Sequence, residues 1–316
     1  MWLKMKLEYK ILWIDNDLPS YIENGSVKEV EDFLYERGFD PIIEKVFDEA
    51  ELGQYIGLHD YDLIISDFNL QNTTGDVIIE DIRVKRQLDT EILFYTAQGS
   101  YKNNPEVKDR LAFIERLTFQ VGRETLLEKI EKVIELTLKK LLELNATRGL
   151  ITAATSDLDS VIEEIVIYLV YDILKLEGEK IDTIIYSYVD DFLKKSPDKF
   201  LQKYNEIGFR NWFHRIEASR KWTIFRDLLK KIDDNKIKTF LDLNKTYGKD
   251  VIDIRNKFAH AKAEQIEGQL VLKGQYGQDD YTFDADACIQ IRRKLIDHKK
   301  NIEILQAVLS QLDNIT

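Results

Sequence analysis

Arg255, Asn256 and His260, in the last fifth of the chain, have the side-chain types and the spacing to act on a phosphodiester. Residues 250–264 contain neither Gly nor Pro and repeat apolar residues at helical spacing, which predicts a helix. On such a helix Asn256 and His260 share one face, and Arg255 lies beside them. An imidazole transfers protons near neutral pH, and a guanidinium binds phosphate oxygens in a fork. The set is therefore suited to cleave a phosphodiester without a metal ion.

The same run, RNKFAH, resembles the motif of the HEPN superfamily (higher eukaryotes and prokaryotes nucleotide-binding), helical bundles that include many ribonucleases. The resemblance implies a homodimer in which two motifs face one cleft. It also implies an RNA-cleaving endoribonuclease that needs no cofactor at this site and leaves a 2′,3′-cyclic phosphate, in a stress, toxin or defence role. His260 would act as general acid or base, Arg255 would stabilise the phosphorane, and Asn256 would orient His260 or a phosphate oxygen.

The motif also has plainer interpretations. An Arg and a His on an amphipathic helix are often a solvated face or a hydrogen-bonded structural pair. Two alternatives to a nuclease therefore stay open. One is a non-catalytic signalling or scaffold dimer, and the other is a nucleotide-binding module that does not cleave.

A second group of polar residues follows predicted strands in the first half of the chain. Apolar runs alternate there with helical segments, which predicts an α/β domain with a parallel sheet wound on both sides. The strand candidates are residues 10–14, 41–47, 61–66 and 91–95. Asp15, Asp67 and Thr96 each lie where a predicted strand ends, so we expect them together at the carboxyl edge of the sheet. An aspartate there can take up a phosphoryl group if Mg²⁺ neutralises the phosphoryl oxygens.

This arrangement resembles a response-regulator receiver domain, which implies a five-stranded sheet and a histidine kinase or another protein as partner. Asp67 matches the phosphoacceptor, with Asn69 two residues and Gly75 eight residues further on. Thr96, followed by Ala97, matches the switch hydroxyl. Asp15 matches the first of the family's two acidic residues. By this resemblance Mg²⁺ would be bound weakly by Asp15, Asp67 and Asn69.

Two departures from the receiver pattern affect phosphorylation. Asn16 stands where the second acidic residue is expected, with Asp17 displaced by one position. Phe119 stands where a lysine is expected after the fifth strand, and Arg116 and Arg123 are cations out of register. The first departure weakens Mg²⁺ binding and the second removes a contact to phosphate. The alternative is a degenerate receiver kept for dimerisation or docking.

Residues 124–145 have a helical apolar stripe, which predicts one long helix running on from the receiver-like domain. It would transmit motion as a stiff rod, or pack its stripe onto its own domain. The Gly- and Thr-containing stretch that follows predicts a domain boundary. The predicted domains are a receiver-like domain at 1–123, a connector helix and linker at 124–150, and a HEPN-like helical domain at 151–316. The predicted elements of that last domain are helices at 158–176, 181–195, 211–232, 250–264 and 287–312, with a small β-hairpin within 266–283.

Cations and aromatic residues alternate between residues 210 and 232, a pattern that could track RNA or could form a core with a solvated back. We expect the aromatic residues to be core. His214 and Arg215 remain candidates for RNA binding.

Composition limits the remaining classes. The 316 residues carry a net charge of −12, which argues against nonspecific coating of nucleic acid or an anionic membrane. A single cysteine, Cys288, excludes an internal disulfide and a thiolate metal cluster, as in a cytoplasmic protein. The most apolar segment, residues 165–174, contains Asp172, and no secretion signal is visible, so we expect no membrane insertion.

Overall fold

The computed structural model describes residues 7–48, 51–55, 61–85, 87–96, 111, 114–139, 141–181, 183, 197–274 and 279–313. The described residues form two compact units. The first, here called the α/β unit, contains residues up to Thr147 together with Ala285–Arg293. The second, the helical unit, contains Arg148–Asp284 and the chain from Lys294 onward.

The α/β unit alternates strands and helices along the chain. Its elements are β1 (Glu8–Ile14), α1 (Leu18–Glu23), α2 (Ser26–Glu36), β2 (Asp40–Val46), α3 (Leu52–Tyr55), β3 (Leu63–Asp67), α4 (Gly75–Glu80), β4 (Glu91–Thr96), β5 (Leu117–Val121) and α5 (Leu126–Leu138). A π-helical turn, Asp81–Lys85, follows α4. The four strands predicted from apolar runs are confirmed, and β5 is the fifth strand that the receiver resemblance implied.

The five strands are parallel and lie in the order β2-β1-β3-β4-β5. This is a doubly wound order in which helices cover both faces of the sheet. Successive residues of β1 accordingly enter different cores. Tyr9, Ile11 and Trp13 pack in one core with α2 and α5, whereas Leu12 and Ile14 pack in the other core, toward α4. The predicted α/β fold class is confirmed for this unit.

The predicted connector helix is shorter than expected, and the alternative in which its stripe packs onto its own domain is confirmed. It ends at Leu138 rather than continuing to Asn145, and its apolar face packs in the core of the α/β unit. It is thus the last helix of this unit and not a free rod. The expected linker is also helical, since a new helix runs over Leu144–Tyr168. The hydroxyls of Thr152 and Thr155 donate to carbonyls four residues earlier, at 2.9 Å, so helical backbone accommodates this Thr-containing stretch.

The start of the last helix, Ala285–Arg293, packs within the α/β unit. Arg292 is buried there, donates from Nε to the carbonyl of Gly38 at 2.8 Å, and lies 3.7 Å from the ring centroid of Phe39. Gly38 has a φ of 80°, and a Cβ at this position would lie 2.9 Å from the Ile289 carbonyl oxygen. A glycine is therefore required on two counts at the end of α2.

The helical unit is built from helices and one small sheet. Its elements are α6 (Leu144–Tyr168), α7 (Pro197–Arg215), α8 (Ala218–Leu229), α9 (Asn235–Leu243), α10 (Ile254–His260), β6 (Ala263–Ile266), β7 (Gln269–Leu272), β8 (Tyr281–Phe283) and α11 (Ala285–Asp313). The first residues of α6 and α11 belong to the α/β unit. The predicted final helix is confirmed, and the predicted hairpin is part of a three-stranded antiparallel sheet, β6-β7-β8.

Three helix predictions for this unit need correction. The helix predicted over 211–232 is divided between α7 and α8, with a break at Ile216 and Glu217. The residues after α8 begin a further helix, α9, that was not predicted, and Asp234 caps it. The Asp234 carboxylate there accepts from the backbone N–H of Lys236 and Ile237. The helix predicted over 250–264 is a π-helical turn followed by α10, and strand β6 begins at Ala263. Of the helix predicted at 181–195, all but residues 181 and 183 lie outside the described residues.

No helix in the described part of the chain is long and apolar enough to cross a membrane. Cys288 is buried, and its sulfur lies 3.1 Å from the hydroxyl of Thr147. The sulfur therefore contributes to packing inside the α/β unit.

Candidate functional site

The carboxyl edge of the α/β sheet gathers three of the predicted site residues. Asp67 ends β3 and is in register with Tyr95 on β4, and Thr96 follows as the last residue of β4. Asp15 comes directly after β1. Asp15, Asp67 and Thr96 are all buried. We call these three residues the carboxylate site.

Asp15 is oriented by two donors. The backbone N–H of Asp17 donates to its Oδ1 at 2.7 Å, and the hydroxyl of Tyr95 donates to its Oδ2. The indole N–H of Trp13 donates in turn to the Tyr95 oxygen at 3.3 Å. Tyr95 was not predicted as a site residue, because it reads as one more apolar residue of a buried strand.

The ionised form of the Asp67 carboxyl is disfavoured by its surroundings. Burial, followed by the charge of Asp15, raises its pKa to about 6. A hydrogen bond of 2.8 Å from the backbone N–H of Phe68 to Oδ1 acts in the opposite direction. Burial also raises the pKa of Asp15. Two buried carboxylates that repel one another are a place where positive charge is missing.

Arg123 places a positive charge at the carboxyl edge of the sheet. It lies two residues after β5, forms an ion pair from Nη1 to the Asp17 carboxylate, and lies 5.6 Å from the ring centroid of Tyr21. Its charge lowers the pKa of both Asp15 and Asp67, although less than burial raises them. Arg116, the other cation considered, donates instead to the carbonyl of Asp89 before β4. Arg123 therefore supplies positive charge from outside the expected register.

Phe119, at the expected lysine position, lies in the middle of β5. Its ring centroid is 5.7 Å from that of Phe94, and the residue is 39% exposed. The aromatic ring extends the packing around Phe94 and provides no charge for the site.

Position 75, at the start of α4, has no room for a side chain. A Cβ there would lie 2.3 Å from the carbonyl oxygen of Asp67 and 2.6 Å from the Phe94 ring. The N–H of Gly75 also donates to the carbonyl of Phe68 at 2.9 Å. The loop after Asp67 is thus closed against the start of α4. Asn69, within that loop, is exposed and bridges to Thr74, and its role as a metal ligand stays a prediction.

The carboxylate site fits Mg²⁺ in part. Mg²⁺ binds oxygen ligands and is usually held by one or two carboxylates, with water and phosphate oxygens completing the octahedron. Asp15 and Asp67 provide that pair, and their raised pKa values indicate that a cation between them would be stabilising. Among the described residues no group of three or more acidic, His or Cys side chains forms a metal-binding cluster, so a fuller protein cage is not available there.

A second candidate site lies on α10. Arg255 donates from Nη1 to Oδ2 of Asp159 on α6 at 3.0 Å, and from Nη2 and Nε to Oδ1 of Asn256 at 3.3 and 3.4 Å. His260 is the last residue of α10, and its side chain lies outside the described part of the structure. Two of the three predicted residues, Arg255 and Asn256, are therefore in direct contact. Arg255 also contacts Asp159, which the sequence analysis did not predict as a site residue.

Asp159 belongs to a strip of charge along α6. One turn further on, Glu163 accepts from Nζ of Lys221 at 3.1 Å and contacts Nδ1 of His214 at 3.1 Å. Burial raises the pKa of Asp159, while the charges of Arg255 and Lys221 act against this rise. The acids at i and i+4 of a helical segment were the signal available in the sequence, but only the fold shows what they contact.

A cavity of about 440 Å³ opens beside this strip. Its charged lining residues are Glu163, Glu164, Asp172, Arg210 and His214. Arg215 is exposed, whereas Trp212, Phe213, Trp222 and Phe225 are buried. The prediction that the aromatic residues are core is confirmed. RNA binding by His214 or Arg215 stays a prediction.

Comparison with known proteins yields structural neighbours alone. Neither a protein-family model nor a curated protein matches the sequence. The chain is similar to the chemotaxis protein CheY4 of Vibrio cholerae, with 25% identity and a TM-score of 0.30, over 40% of this chain and 98% of that one. It is similar to the response regulator TrrA of Thermotoga maritima, solved with Mg²⁺ and BeF, with 19% identity and a TM-score of 0.30, over 40% and 98%.

A CheY-like receiver domain from Methanospirillum hungatei is similar at 20% identity and a TM-score of 0.32, over 42% of this chain and 98% of that one. These similarities extend over about two-fifths of the chain. The interpretation of the α/β unit therefore depends on its own strand order and on its carboxylate site.

Proposed function

We propose that the chain is a signalling protein in which a receiver-like α/β unit controls a ribonuclease activity of the helical unit. The observation that carries the proposal is the pair of buried carboxylates, Asp15 and Asp67, at the carboxyl edge of a doubly wound parallel sheet. Ligands of such sheets bind at this edge. Raised pKa values at paired, buried acids are typical of functional sites rather than of packing alone.

Asp67 is the phosphoacceptor in this proposal. A carboxylate oxygen of Asp67 attacks the phosphorus of a phosphodonor, an acyl phosphate or a phosphorylated histidine. The new bond is an acyl phosphate, and the bond from phosphorus to the donor breaks with its electron pair leaving on the donor. Because the pKa of Asp67 is about 6, most of the carboxylate is ionised at neutral pH. Mg²⁺ bound by Asp15 and Asp67, with Asn69 as a further ligand, would supply charge that screens the phosphoryl oxygens.

Two further residues complete this site. Arg123, two residues beyond the last strand, would bind a phosphoryl oxygen in place of the lysine of a receiver, although from a different position in the chain. Thr96 would donate its hydroxyl to the phosphoryl group as the switch residue. A histidine kinase is the expected macromolecular partner.

Phosphoacceptance is tested by intact-protein and peptide mass spectrometry after incubation with acetyl phosphate and Mg²⁺. We expect one phosphoryl adduct on Asp67, lost in Asp67→Asn and reduced in Arg123→Ala. The absence of an adduct on the wild-type chain, or an adduct that persists in Asp67→Asn, would leave the α/β unit as a docking or dimerisation module.

The output that we propose for the helical unit is metal-independent RNA cleavage of the HEPN type. The 2′-oxygen of RNA attacks the adjacent phosphorus, the bond from phosphorus to the 5′ oxygen breaks, and a 2′,3′-cyclic phosphate remains. Arg255 would bind a non-bridging oxygen, Asn256 would hold Arg255 or the phosphate, and His260 would take the proton of the 2′-hydroxyl. The contact between Arg255 and Asn256 supports this assignment, since it aligns two donor-bearing side chains on one helix.

The test for cleavage is incubation of the full chain with mixed cellular RNA in EDTA. We expect cleavage by the wild type and losses of about 10²- to 10⁴-fold in Arg255→Ala and His260→Ala. The products should carry 2′,3′-cyclic phosphate ends. Light scattering and dilution experiments test the homodimer that composite sites require.

A non-catalytic scaffold remains the second candidate for the helical unit. The observation that favours it is the ion pair between Arg255 and Asp159, which already satisfies part of the guanidinium. No cleavage by the wild type, together with an intact fold and RNA-independent dimerisation, would decide for this candidate.

A further inference from the structure

Asp159 and Glu163, here called the α6 acid pair, bring together two basic residues that are far apart in sequence. They stand four residues apart on α6 and therefore lie on one face, with Cβ atoms about 6 Å apart. Asp159 holds Arg255, at 3.0 Å, and Glu163 holds His214, at 3.1 Å. Arg255 comes from α10 and His214 from α7. The imidazole and the guanidinium of the RNKFAH motif are thus bound to acids that stand one helical turn apart.

His214 has the geometry of a residue that exchanges protons with a ligand. Nδ1 of its ring faces Glu163 at 3.1 and 3.2 Å from the two carboxylate oxygens, and its side chain is 75% exposed. Glu163 is itself fixed from the other side by Nζ of Lys221, a buried lysine, at 3.1 Å. A carboxylate on Nδ1 sets the orientation of an imidazole and stabilises the ring when it holds a second proton. Nε2 is then the nitrogen that faces a substrate.

RNA cleavage by attack of the 2′-oxygen needs two proton transfers. One removes the proton of the 2′-hydroxyl, and the other delivers a proton to the 5′ oxygen that departs. The RNKFAH motif has one imidazole, that of His260. We propose that His214, oriented by Glu163, is the general acid that protonates the departing 5′ oxygen of a ribose phosphodiester. The inference rests on the ribonuclease activity proposed above.

As the bond from phosphorus to the 5′ oxygen breaks, its electron pair passes to that oxygen, which takes the proton from Nε2 of His214. The neutral imidazole regains a proton from water. Arg255 holds the non-bridging oxygens during this step, and Glu163 is a positioning residue.

Charged residues from several elements lie around His214 and its partner Glu163. From α6 the ring is faced by Glu163, with Glu164 and, in the π-helical turn after α6, Asp172 on the same cavity wall. From α7 Arg210 lines that cavity one turn before His214, and from α8 Lys221 reaches the shared Glu163. Of these acids Glu163 contacts the ring nitrogen, and Arg210 supplies a cation for a phosphate next to the one that is cleaved.

A leaving-group experiment separates proton donation from a structural role. The full-length chain is assayed in EDTA with the dinucleotide UpA and with uridine 3′-(4-nitrophenyl phosphate), whose nitrophenolate leaves without a proton. We expect His214→Ala to slow cleavage of UpA by about 10²- to 10⁴-fold and cleavage of the nitrophenyl ester by less than about tenfold. His260→Ala should slow both substrates, because the proton of the 2′-hydroxyl must be removed in either case.

Three further variants distinguish proton donation from loss of the fold. His214→Gln retains a polar side chain of similar size and should show the same selectivity between the two substrates as His214→Ala. Glu163→Gln should show it more weakly, whereas its matched control Glu164→Gln should change the rates of both substrates by the same factor.

The outcomes separate the two proposals. A wild-type chain that cleaves neither substrate overturns the proposed ribonuclease function. A wild-type chain that cleaves UpA, with His214 variants that are unchanged or equally slow on both substrates, overturns the role of His214 and leaves the proposed function in place.

Discussion

The two units differ in whether their buried or half-buried carboxylates have basic partners. In the α/β unit, Asp15 and Asp67 are buried together, and both have a raised pKa because burial is not offset by enough positive charge. In the helical unit, Asp159 and Glu163 of the candidate site, and Asp250 in the π-helical turn before α10, each have a basic partner, although burial still raises the pKa of Asp159. Asp159 pairs with Arg255, Glu163 with Lys221, and Asp250 with Lys294.

The difference indicates what each site is prepared to bind. An uncompensated pair of carboxylates is stabilised by a cation, and so favours Mg²⁺ and, with it, a phosphoryl group. A compensated network is stable without a ligand, so a phosphate that binds there must share or displace the acid on Arg255. The α/β unit is therefore expected to respond to ions, whereas the helical unit is expected to be held together by its own pairs.

The largest effect is expected where the carboxylate site is most tightly packed. Gly75→Ala should destabilise the α/β unit by about 3 kcal/mol or more, because the new Cβ would overlap the Asp67 carbonyl and the Phe94 ring. Gly53→Ala, at a glycine of α3 with open space around it, should change stability by less than about 1 kcal/mol. Urea unfolding followed by hydrogen exchange of peptides from the α/β unit gives both numbers. Equal effects would show that Gly75 has room to move.

Removal of the Asp67 charge should stabilise the α/β unit at neutral pH. The pKa of Asp67 is about 6 in the folded chain and about 4 in an unfolded one, so the folded state binds a proton more tightly. The stability linked to this group is present below about pH 4 and is lost as the pH rises through 6, by up to about 3 kcal/mol. Asp67→Asn should therefore raise the urea midpoint at pH 7.5 and leave it nearly unchanged at pH 4.

Added Mg²⁺ sharpens that prediction. It should stabilise the wild type at pH 7.5 and have little effect on Asp67→Asn. A lower midpoint for Asp67→Asn at pH 7.5 would contradict the view that the carboxylates repel one another.

An Asp→Asn substitution at Asp250, in the helical unit, should change stability in the opposite direction. Burial alone would raise the pKa of Asp250, but hydrogen bonds, foremost that from Lys294, lower it overall. The stability from this group is present above the unfolded pKa of about 4 and is lost as the pH falls below it. Asp250→Asn should destabilise the chain by about 2 kcal/mol at pH 7.5, with a smaller loss at pH 3. Stabilisation at pH 7.5 would remove the contrast between the units.

The smallest effect compares two buried tyrosine hydroxyls. The hydroxyl of Tyr9, in the α/β unit, forms a hydrogen bond of 2.6 Å with Thr137, so Tyr9→Phe should cost about 1 kcal/mol. The hydroxyl of Tyr247, in the helical unit, is buried without a hydrogen-bond partner among the described residues. Tyr247→Phe should be neutral or stabilising by up to about 1 kcal/mol. Thermal unfolding of both variants measures the difference, and a clear loss in Tyr247→Phe would reveal a hidden partner of that hydroxyl.

The sequence predicted the α/β sheet well because each strand is a short apolar run between polar turns. Residues buried on both faces must be apolar, so β1 and β3 are visible in the sequence without knowledge of their neighbours. The positions of Asp15, Asp67 and Thr96 follow from the same rule, since the carboxyl ends of parallel strands meet at one edge.

Predictions failed where local composition and tertiary packing disagree. The Thr-containing stretch after Gly149 was interpreted as a linker, yet hydroxyl-to-carbonyl hydrogen bonds and packing retain it in α6. The stripe of α5 allows two interpretations, a stiff connecting rod or a helix packed onto its own domain, and the structure confirms the second. Its hydrophobic period is the same whether it packs on another chain or on its own sheet, and only the fold shows that it packs on the sheet.

The sequence by itself determined which residues can do chemistry and on which element each one lies: the aspartates at strand ends, and the Arg, Asn and His of one short helix. Only the tertiary structure decided their partners. Arg123 reaches the carboxylate site from beyond β5, Tyr95 binds Asp15, and the α6 acid pair joins Arg255 to His214. The physical reason is that hydrogen bonds and ion pairs act over a few ångströms, in these cases between residues 51 to 106 positions apart. A sequence pattern records spacing along the chain and not proximity in space.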